Sequence, residues 1–472
     1  MAKVLEEEQK VSLTLGSRPH APPEVFSQEL EPGVWLLIDP EMPNWVAVDV
    51  VGKEIVELSN GERTMEEITA MLCARHNASM ESSQANILQF ATLLEEKDFL
   101  STQPFAYPEA DKRAILAGNL VLWINITHRC NLRCLHCFRS AGEAMENELT
   151  TEEIFGVVDE AASIGCHEIV ISGGEPLLRD DALQILGYVK EKDIKSLKLL
   201  TNGTFVSSEI AKTLKEMEPI YVQVAIDGAT EATVDRIRGD GVFHRAKAGV
   251  KHLAEAGLAR DLVVSMTLLN TNLGEIEQFI KLALDLGATG VHFPVFQAVG
   301  SGKRNRDELG LDTESMYVAL KSILTMRGKY SRKITVSLTP EIVKYVKGLR
   351  RDYCGAGLNL WSVEPDGRVT PCSGLCDTRF IAGNIRHQGL KEIVRESPVS
   401  RQFRALRLMD NPHCASCELR FMCGGGCHVD RFNEYGRLAS TWPKCEATKR
   451  IYDDYFKTLI HNNEATRKEV TT

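Results

Sequence analysis

Strand-like and helix-like segments alternate through the middle of the chain, and this alternation most limits its fold. Between the first two strand-like segments, Thr150-x-x-Glu153 forms a capping-box pattern that precedes an apolar helical face. Strands separated by helices form parallel sheets with right-handed crossovers, so the pattern predicts an α/β fold. The six predicted strands are Leu120–Thr127, Glu168–Ser172, Ser196–Thr201, Tyr221–Ile226, Leu262–Leu269 and Val291–Phe296.

Three cysteines, Cys130, Cys134 and Cys137, follow the first predicted strand directly. Three thiolates this close together can hold three irons of a cubane cluster and leave the fourth iron open to small-molecule oxygen and nitrogen donors. The chain has thirteen cysteines, an odd number in a long chain without an export signal, which favours metal or cluster ligation over disulfides. Zinc is the alternative, but a structural zinc site takes four protein ligands and no fourth is adjacent.

The C-x3-C-x2-C spacing at the end of a first strand, with His136 before the third cysteine, resembles the radical S-adenosylmethionine (radical SAM) superfamily. The fold of that family is a partial (β/α)6 barrel. The resemblance implies a [4Fe-4S] cluster on Cys130, Cys134 and Cys137, with S-adenosylmethionine as the cofactor and His136 beside it. In the family, the reduced cluster passes an electron to the sulfonium, giving methionine and a 5′-deoxyadenosyl radical.

A second match lies at the end of the second predicted strand, where Gly173-Gly174-Glu175-Pro176 corresponds to the family's GGEP segment. In relatives this segment holds the amino group of the bound methionine moiety. That role is chemically sensible, because small residues let backbone carbonyls approach an ammonium group closely and Glu175 supplies the countercharge.

Asn202 and Asp227 follow the third and fourth strands, at the strand ends where barrel active sites gather. We expect them to contact the polar edge of the cofactor. Arg238 or Arg245 is expected to pair with the cofactor's carboxylate as a planar fork. The chain departs from the family at Ala225, where relatives commonly have Ser, which puts one cofactor hydroxyl contact in doubt. No residue is assigned as general acid or base.

The C-terminal part of the chain contains a further seven-cysteine pattern, which resembles the SPASM domain and its two auxiliary [4Fe-4S] clusters. The family pattern leaves the first auxiliary cluster one cysteine short. Cys376 is a candidate for its fourth ligand, and an open iron that binds substrate is the alternative. The resemblance assigns Cys354, Cys372 and Cys427 to the first auxiliary cluster, and Cys414, Cys417, Cys423 and Cys445 to the second.

Near the N-terminus, two strand-like segments, Val34–Ile38 and Trp45–Val51, precede a capping box at Thr64-x-x-Glu67 and a further helix from about Ser83 to Asp98. A hairpin followed by helices resembles the RiPP recognition element, a winged-helix-like module related to the D protein of pyrroloquinoline quinone biosynthesis. In relatives, the leader of a precursor peptide pairs with the edge of its sheet.

The charge of this module, residues 31–104, argues against DNA, which winged-helix folds also bind. The segment has four Lys or Arg and thirteen Asp or Glu, whereas nucleic-acid affinity comes largely from neutralising phosphates with basic side chains. We therefore expect a peptide leader with basic residues, and no nucleic-acid partner.

These patterns divide the chain into five parts. No apolar run reaches the roughly 18–20 residues needed to cross a bilayer. The N-terminus lacks the layout of a signal peptide, so we expect a cytoplasmic protein with no membrane partner. Cys73, Cys166, His128 and His292 are predicted to be structural. The predicted parts are a flexible arm (1–30), the recognition module (31–104), the radical SAM partial barrel (112–350), the SPASM domain (351–452) and a C-terminal tail (453–472).

Together the resemblances imply a peptide maturase that crosslinks or otherwise oxidises a ribosomally made precursor peptide, with an electron donor such as ferredoxin or flavodoxin. A SPASM enzyme of tetrapyrrole side-chain decarboxylation in haem biosynthesis is one alternative. A sulfatase maturase is another, although those relatives usually have Asp where this chain has Ser373. The alternative without catalysis is an iron–sulfur or zinc scaffold that only binds peptides.

Overall fold

The computed structural model describes residues 13–107, 119–258, 261–339, 347, 350–351, 354–375 and 378–470. The chain begins with a small antiparallel sheet in the order β1-β2-β3, whose inner face packs on three helices. These elements are β1 (Phe26–Glu31), β2 (Val34–Asp39), β3 (Asn44–Val48), α1 (Val50–Leu58), α2 (Met65–Arg75) and α3 (Met80–Glu96).

Part of the predicted flexible arm, residues 1–30, is built into this unit. Phe26–Glu31 pairs with β2, and Leu13 is buried in the core of the small unit. His20 N donates a hydrogen bond to Ser101 O at 2.8 Å. The prediction of a loose arm is therefore wrong from Leu13 onward, because these apolar residues are too scattered to show a periodic pattern. Residues 1–12 lie outside the described ranges.

Helix caps decide where the helices of this unit begin. The apolar run Trp45–Val51, predicted as one strand, divides at Asp49, whose carboxylate accepts a hydrogen bond from Gly52 N (2.8 Å) and caps α1. The capping box predicted at Thr64 and Glu67 is confirmed. The third helix starts at Met80 rather than Ser83, since Ser79 accepts a hydrogen bond from Ser82 N and caps it.

Within the described residues, seven parallel strands with helices between them form the barrel part of the larger sheet. Their order is β10-β9-β8-β7-β6-β5-β4, the arrangement of a partial barrel. The strands are β4 (Leu120–Thr127), β5 (Cys166–Gly173), β6 (Ser196–Thr201), β7 (Tyr221–Ala225), β8 (Leu262–Ser265), β9 (Gly290–Pro294) and β10 (Thr335–Thr339). The helices are α4 (Thr151–Ser163), α5 (Ala182–Lys190), α6 (Ser208–Glu216), α7 (Glu231–Arg238), α8 (Val242–Glu255), α9 (Ile276–Asp285), α10 (Ser301–Arg304), α11 (Arg306–Leu309) and α12 (Thr313–Tyr330).

All six predicted strands are confirmed, and the α/β partial-barrel fold with them. The fifth and sixth strands are shorter than predicted, ending at Ser265 and Pro294. The count of six was one too low, because β10 pairs in parallel with β9. Its sequence, Thr-Val-Ser-Leu-Thr, alternates buried and exposed side chains, unlike the continuous apolar runs that mark the buried strands.

The cysteine-rich C-terminal part continues the same sheet beyond β4. The strand β11 (Leu360–Val363) lies parallel to β4, and β12 (Arg368–Thr370) and β13 (Gly383–Asn384) follow antiparallel. The buried Asn125 side chain donates to Ser362 Oγ at 2.9 Å across this junction. The SPASM domain, predicted to begin at residue 351, therefore shares the sheet of the barrel.

The C-terminal helices complete the fold and replace the predicted tail. Tyr452 and Phe456, one helical turn apart, are fully buried, so the helix continues past residue 453. They pack with residues on the outer face of the small sheet, such as Ile38 and Trp45. No helix in the described ranges is long and apolar enough to cross a membrane. The helices are α13 (Leu390–Glu396), α14 (Pro398–Ala405), α15 (Pro412–Ala415), α16 (Arg420–Cys423), α17 (His428–Tyr435) and α18 (Cys445–Val470).

Candidate cluster and cofactor site

The cysteine loop, residues 130–137, follows β4 at the carboxyl end of the parallel sheet. Its three thiols are partly buried, and none forms a disulfide. Backbone hydrogen bonds fix the loop from three separate parts of the chain. Cys130 N donates to Gly142 O (2.7 Å), Leu135 N donates to Ile237 O (2.9 Å) and Ser301 N donates to Cys137 O (2.8 Å).

The surroundings of Cys130 and Cys134 favour the protonated form of these two thiols when no metal is present. The pKa of the Cys134 thiol is raised to about 12, because burial outweighs the opposing charge of the nearby Arg238 guanidinium. Burial also raises the pKa of Cys130. Metal ions draw such protons off, since the thiolate is the ligand. Among the described residues no three His, Cys, Asp or Glu side chains are arranged around a single metal ion, but a cluster spreads its thiolates over different irons.

A buried ion pair lies directly under the cysteine loop. Arg238 Nη2 and Nε lie 2.5 and 2.8 Å from Asp227 Oδ2, and His136 Nε2 lies 2.9 Å from the same oxygen. The other oxygen accepts a hydrogen bond from Thr267 N at 2.6 Å. Burial alone raises the pKa of Asp227, but the Arg238 and His136 charges outweigh it and hold that pKa well below its usual range. Asp227 is therefore a carboxylate that anchors His136.

The two candidate arginines have very different surroundings. Arg238 is buried at the end of α7, and its charge acts on Cys134 and Cys130 as well as on Asp227. Arg245 is exposed, and its Nε donates to Gly241 O at 3.2 Å. The structure thus brings Arg238, and not Arg245, to the cysteine loop. There it is paired with Asp227, a partner that the sequence pattern did not indicate.

The side chain of Glu175 ties the ends of β5 and β6 together. It is fully buried; its Oε1 accepts from Thr201 Oγ1 at 2.7 Å and its Oε2 from Asn202 N at 2.7 Å. Burial raises the pKa of this carboxyl despite these hydrogen bonds. Pro176 begins a short 3-10 turn, and Leu177 N donates to Glu175 Oε1 at 3.2 Å. Glu175 therefore holds residues 173–176, which we call the glycine rim, in one arrangement.

The two glycines before Glu175 let the rim approach the start of the cysteine loop. Gly173 has a φ of +138°, and a Cβ there would lie 2.3 Å from Thr127 O. A Cβ on Gly174 would lie 2.2 Å from Arg129 O. Real side chains do not tolerate such contacts with backbone, so only glycine fits at either position.

Asn202 reaches the cysteine loop through a residue that sequence reasoning missed. Its Nδ2 donates to Asn131 Oδ1 at 2.9 Å, and Asn131 Nδ2 donates to Thr204 Oγ1 at 2.9 Å. Asn131 stands between two cysteines and carries no motif of its own, so only its place in the loop pointed to it. Ala225 lies at the end of β7, and its methyl group supplies no hydroxyl.

The C-terminal cysteines form two groups in space. Cys354 and Cys372 lie close enough to Cys427 for their charges to add to the burial that raises its pKa well above the usual value. The pKa of Cys423 is raised to about 12, chiefly by burial and in part by three neighbouring thiols. Those three are Cys414, Cys417 and Cys445. Cys376 lies outside the described residues.

The four residues predicted to be structural all contact other parts of the fold. Cys73 and Cys166 are buried in hydrophobic cores. The ring nitrogens of His128 lie 3.0 Å from Glu143 O and 3.3 Å from Arg139 O. His292 Nδ1 lies 2.9 Å from Ser337 Oγ, on the neighbouring strand.

These donors fit an iron–sulfur cluster with a small polar cofactor beside it. The cysteine loop offers three thiols without disulfides, and the glycine rim packs directly against the start of that loop. His136 Nδ1 is buried, and no side chain or backbone group in the described ranges hydrogen-bonds to it. A cavity of about 330 Å³ also opens onto Cys134 and Cys137.

Three parts of the chain match known families. Residues 124–283 match the radical SAM superfamily, residues 354–418 match the SPASM iron–sulfur cluster-binding domain, and residues 35–100 match coenzyme PQQ synthesis protein D (PqqD). The mycofactocin maturase MftC of Mycobacterium ulcerans (strain Agy99) is 30% identical over 336 residues, which cover 70% of this chain and 88% of that relative. The chain belongs to the radical SAM superfamily. Its cofactors are accordingly [4Fe-4S] clusters and S-adenosylmethionine, and it is an enzyme.

Two further proteins resemble this radical SAM enzyme. The AdoMet-dependent heme synthase of Methanosarcina barkeri (strain Fusaro / DSM 804) is 29% identical over 348 residues, which cover 70% of this chain and 96% of that relative. The crystal structure of SuiB of Streptococcus suis, bound to the precursor peptide SuiA, superposes with a TM-score of 0.56 at 15% identity. It covers 90% of this chain and 98% of SuiB, and at this identity the likeness concerns the fold.

Proposed function

We propose that this radical SAM enzyme modifies a ribosomally made precursor peptide, by a crosslink or another oxidative maturation. The proposal rests on how the PqqD-like module packs against the rest of the protein. The outer face of its sheet packs on the second auxiliary cysteine group and on α18, with Leu36 and Ile38 against Cys417, Tyr452 and Phe456. The module that would bind the peptide is therefore joined directly to the part of the protein that would hold the second auxiliary cluster.

The sheet of the module offers places for a peptide strand. β1 and β3 are its outer strands, and main-chain hydrogen bonds to such an edge give affinity while side-chain pockets give register. A cavity of about 430 Å³ lies beside β1, and its lining includes Val25, Ser27, Leu37 and Phe105. The acidity of residues 31–104 favours a leader that carries basic residues.

The ligand roles follow the grouping of the thiols. We assign the radical-generating [4Fe-4S] cluster to the cysteine loop, and S-adenosylmethionine to the neighbouring rim and strand ends. Cys376 stays a candidate for the fourth ligand of the first auxiliary cluster. The proposed sets are Cys130, Cys134 and Cys137; Cys354, Cys372 and Cys427; Cys414, Cys417, Cys423 and Cys445; and, for the cofactor, His136, Gly173, Gly174, Glu175, Pro176, Asn202, Asp227 and Arg238.

When bound, the cluster and S-adenosylmethionine supply a 5′-deoxyadenosyl radical for hydrogen abstraction. The residues of this chain position what binds there. Glu175 fixes the glycine rim. Asp227 holds His136, a residue of the loop, together with Arg238 beneath the loop. Asn202 holds Asn131 within the loop. An electron donor such as ferredoxin or flavodoxin, and a cytoplasmic location, complete the proposal.

The domain borders are also proposed. We place the PqqD-like module at 31–104, together with the part of the arm that packs on it from Leu13. The partial barrel covers 112–350 and the SPASM domain 351–452. The segment from 453 onward belongs with α18, because Phe456 is part of the joint with the module.

The relatives support a peptide substrate more than a tetrapyrrole. MftC is a maturase by name, and the SuiB structure holds a precursor peptide. The heme synthase is the second candidate, because its identity is almost the same. The aligned 70% of this chain already covers 96% of the heme synthase. This chain also has a segment, residues 35–100, that matches PqqD, a protein of coenzyme PQQ synthesis.

The test is anaerobic reconstitution with iron and sulfide, followed by dithionite, S-adenosylmethionine and a short peptide encoded beside the gene. We expect 5′-deoxyadenosine together with a peptide mass loss in multiples of 2 Da. A tetrapyrrole substrate offered in parallel separates the heme synthase alternative. Modification of the tetrapyrrole and not of the peptide would contradict the proposal.

A further inference from the structure

Gln297 connects the barrel to the first group of auxiliary cysteines. It lies three residues beyond the end of β9, at the carboxyl edge of the sheet where barrel active sites form. Its side-chain Nε2 donates a hydrogen bond to the Cys427 sulfur at 3.1 Å. Nothing in the sequence marks Gln297, since it belongs to no motif and lies far along the chain from the cysteine.

The residue whose sulfur receives this hydrogen bond, Cys427, is partly buried and forms no disulfide. A sulfur that carries negative charge in such a place depends on nearby N–H donors, as metal ligands generally do. Gln297 supplies such a donor from a side chain.

Hydrogen bonds tie the backbone beside Gln297 to α17, the helix that begins next to Cys427. Lys444 Nζ donates to Phe296 O at 3.0 Å and pairs with Asp430 at 2.8 Å. Trp442 Nε1 also donates to Asp430, at 2.8 Å. On the other side, a Cβ on Gly374 would lie 3.3 Å from Gln297 Oε1, so the amide packs closely against the segment that follows Cys372.

The segment that begins with Gln297, residues 297–301, also contacts the cysteine loop. Ser301 N donates to Cys137 O at 2.8 Å. Gly300, at a φ of +56°, comes so close that a Cβ would lie 2.4 Å from Phe138 O. Residues 297–301 therefore touch the proposed ligands of two clusters, with Gln297 at one end and Ser301 at the other.

We propose that Gln297 is a positioning residue of the first auxiliary cluster, and that its N–H raises the reduction potential of that cluster through the Cys427 sulfur. Hydrogen bonds to ligating sulfurs stabilise the more negative, reduced state and are a known determinant of cluster potential. This rests on the proposed ligand roles of Cys354, Cys372 and Cys427. The barrel thereby sets a redox property of a cluster that it does not ligate.

The test compares the reconstituted full-length enzyme with two variants by redox titration followed by electron paramagnetic resonance. Gln297→Leu removes the donor at similar size, and Gln297→Glu replaces the donor by a charged acceptor of nearly the same shape. We expect the midpoint potential of the first auxiliary cluster to become more negative in the order wild type, Leu variant, Glu variant. The signal of the cluster on the cysteine loop should keep its potential in both variants.

Gln388→Leu is the matched control, because this exposed glutamine contacts Glu392 on the surface at 3.2 Å and should titrate as wild type. Iron content separates the possible failures. Wild-type protein without an auxiliary signal would overturn the ligand assignment itself. Normal iron content with unchanged potentials in both Gln297 variants would overturn the role of Gln297. If the Leu variant does not load its cluster, the potential of the near-isosteric Glu variant decides.

Discussion

His136 and Asp227 are joined by a hydrogen bond, with 2.9 Å between His136 Nε2 and Asp227 Oδ2. His136 immediately precedes the third cysteine of the loop, and Asp227 lies two residues beyond the end of the fourth barrel strand, β7. The same carboxylate oxygen pairs with Arg238. The orientation of the cysteine loop therefore depends on a buried charge pair beneath it.

Replacing Asp227 by Asn should destabilise the protein, because it leaves the buried Arg238 charge without a carboxylate. Removing one partner of a buried ion pair costs about 3–5 kcal/mol, whereas replacing both restores part of the loss. We expect Asp227→Asn to lower the midpoint of urea unfolding and Asp227→Asn/Arg238→Gln to recover part of it. Asp240→Asn, at an exposed aspartate on the following turn, controls for the change in net charge. A double variant as unstable as the sum of the two single variants would argue against direct pairing.

Adding one methyl group to the glycine rim should greatly slow cofactor cleavage. In Gly174→Ala the new Cβ meets Arg129 O, so the rim must move away from the cysteine loop. We expect a loss of about a hundredfold in 5′-deoxyadenosine formation, since a displacement near 1 Å is enough for a loss of that order. Gly156→Ala is the control, because this glycine in α4 has open space around it and should be neutral or slightly stabilising. Equal activity of the two variants would disprove the tight contact.

Removing the arginine at the joint should loosen the PqqD-like module. Arg420, between two cysteines of the second auxiliary group, is buried and pairs with Glu24 and with Glu41 (2.8 Å). In Arg420→Met we expect faster proteolysis of the N-terminal module and weaker iron retention, measured on the reconstituted enzyme. Arg407→Met is the control, since the side chain of this exposed arginine donates to the backbone carbonyls of Arg404 and Leu406. Identical proteolysis patterns for both variants would contradict the joint.

Stability should fall in mild acid because of His292. Burial lowers the pKa of this histidine to about 4, whereas the unfolded chain has a value near 6.5. The unfolded state then binds more protons between these values, so stability is complete above pH 6.5 and declines as the pH falls toward 4, by up to about 1.4 kcal/mol per pH unit. His292→Gln should flatten the dependence of the unfolding midpoint on pH across this window. His244→Gln, at an exposed histidine, should leave the wild-type slope unchanged.

Much of the framework could be predicted because it depends on local patterns. Six barrel strands read as apolar segments, and the capping boxes at Thr64 and Thr150 fixed two helix starts. The cysteine loop and the glycine rim are compact motifs whose spacing is visible in the chain. Burial of Cys73 and Cys166 followed from their apolar neighbours.

What the sequence did not show depends on contacts between distant segments. β1 and β10 are strands because a neighbour pairs with them, and neither has a strong apolar pattern. The joint between α18 and the small sheet forms from residues at opposite ends of the chain. The partners of Asp227, the role of Asn131 and the contact of Gln297 likewise appear only once the strands are side by side.

The central claim is that the cysteine loop holds a cluster that cleaves S-adenosylmethionine for use on a peptide. The most direct test measures 5′-deoxyadenosine and peptide mass after anaerobic reconstitution, for wild type and for a Cys130→Ala/Cys134→Ala/Cys137→Ala variant. We predict 5′-deoxyadenosine and a peptide lighter by multiples of 2 Da for wild type, and neither product for the variant, which should keep its auxiliary-cluster signal. Wild-type enzyme with full clusters and no 5′-deoxyadenosine, or a variant as active as wild type, would contradict the claim.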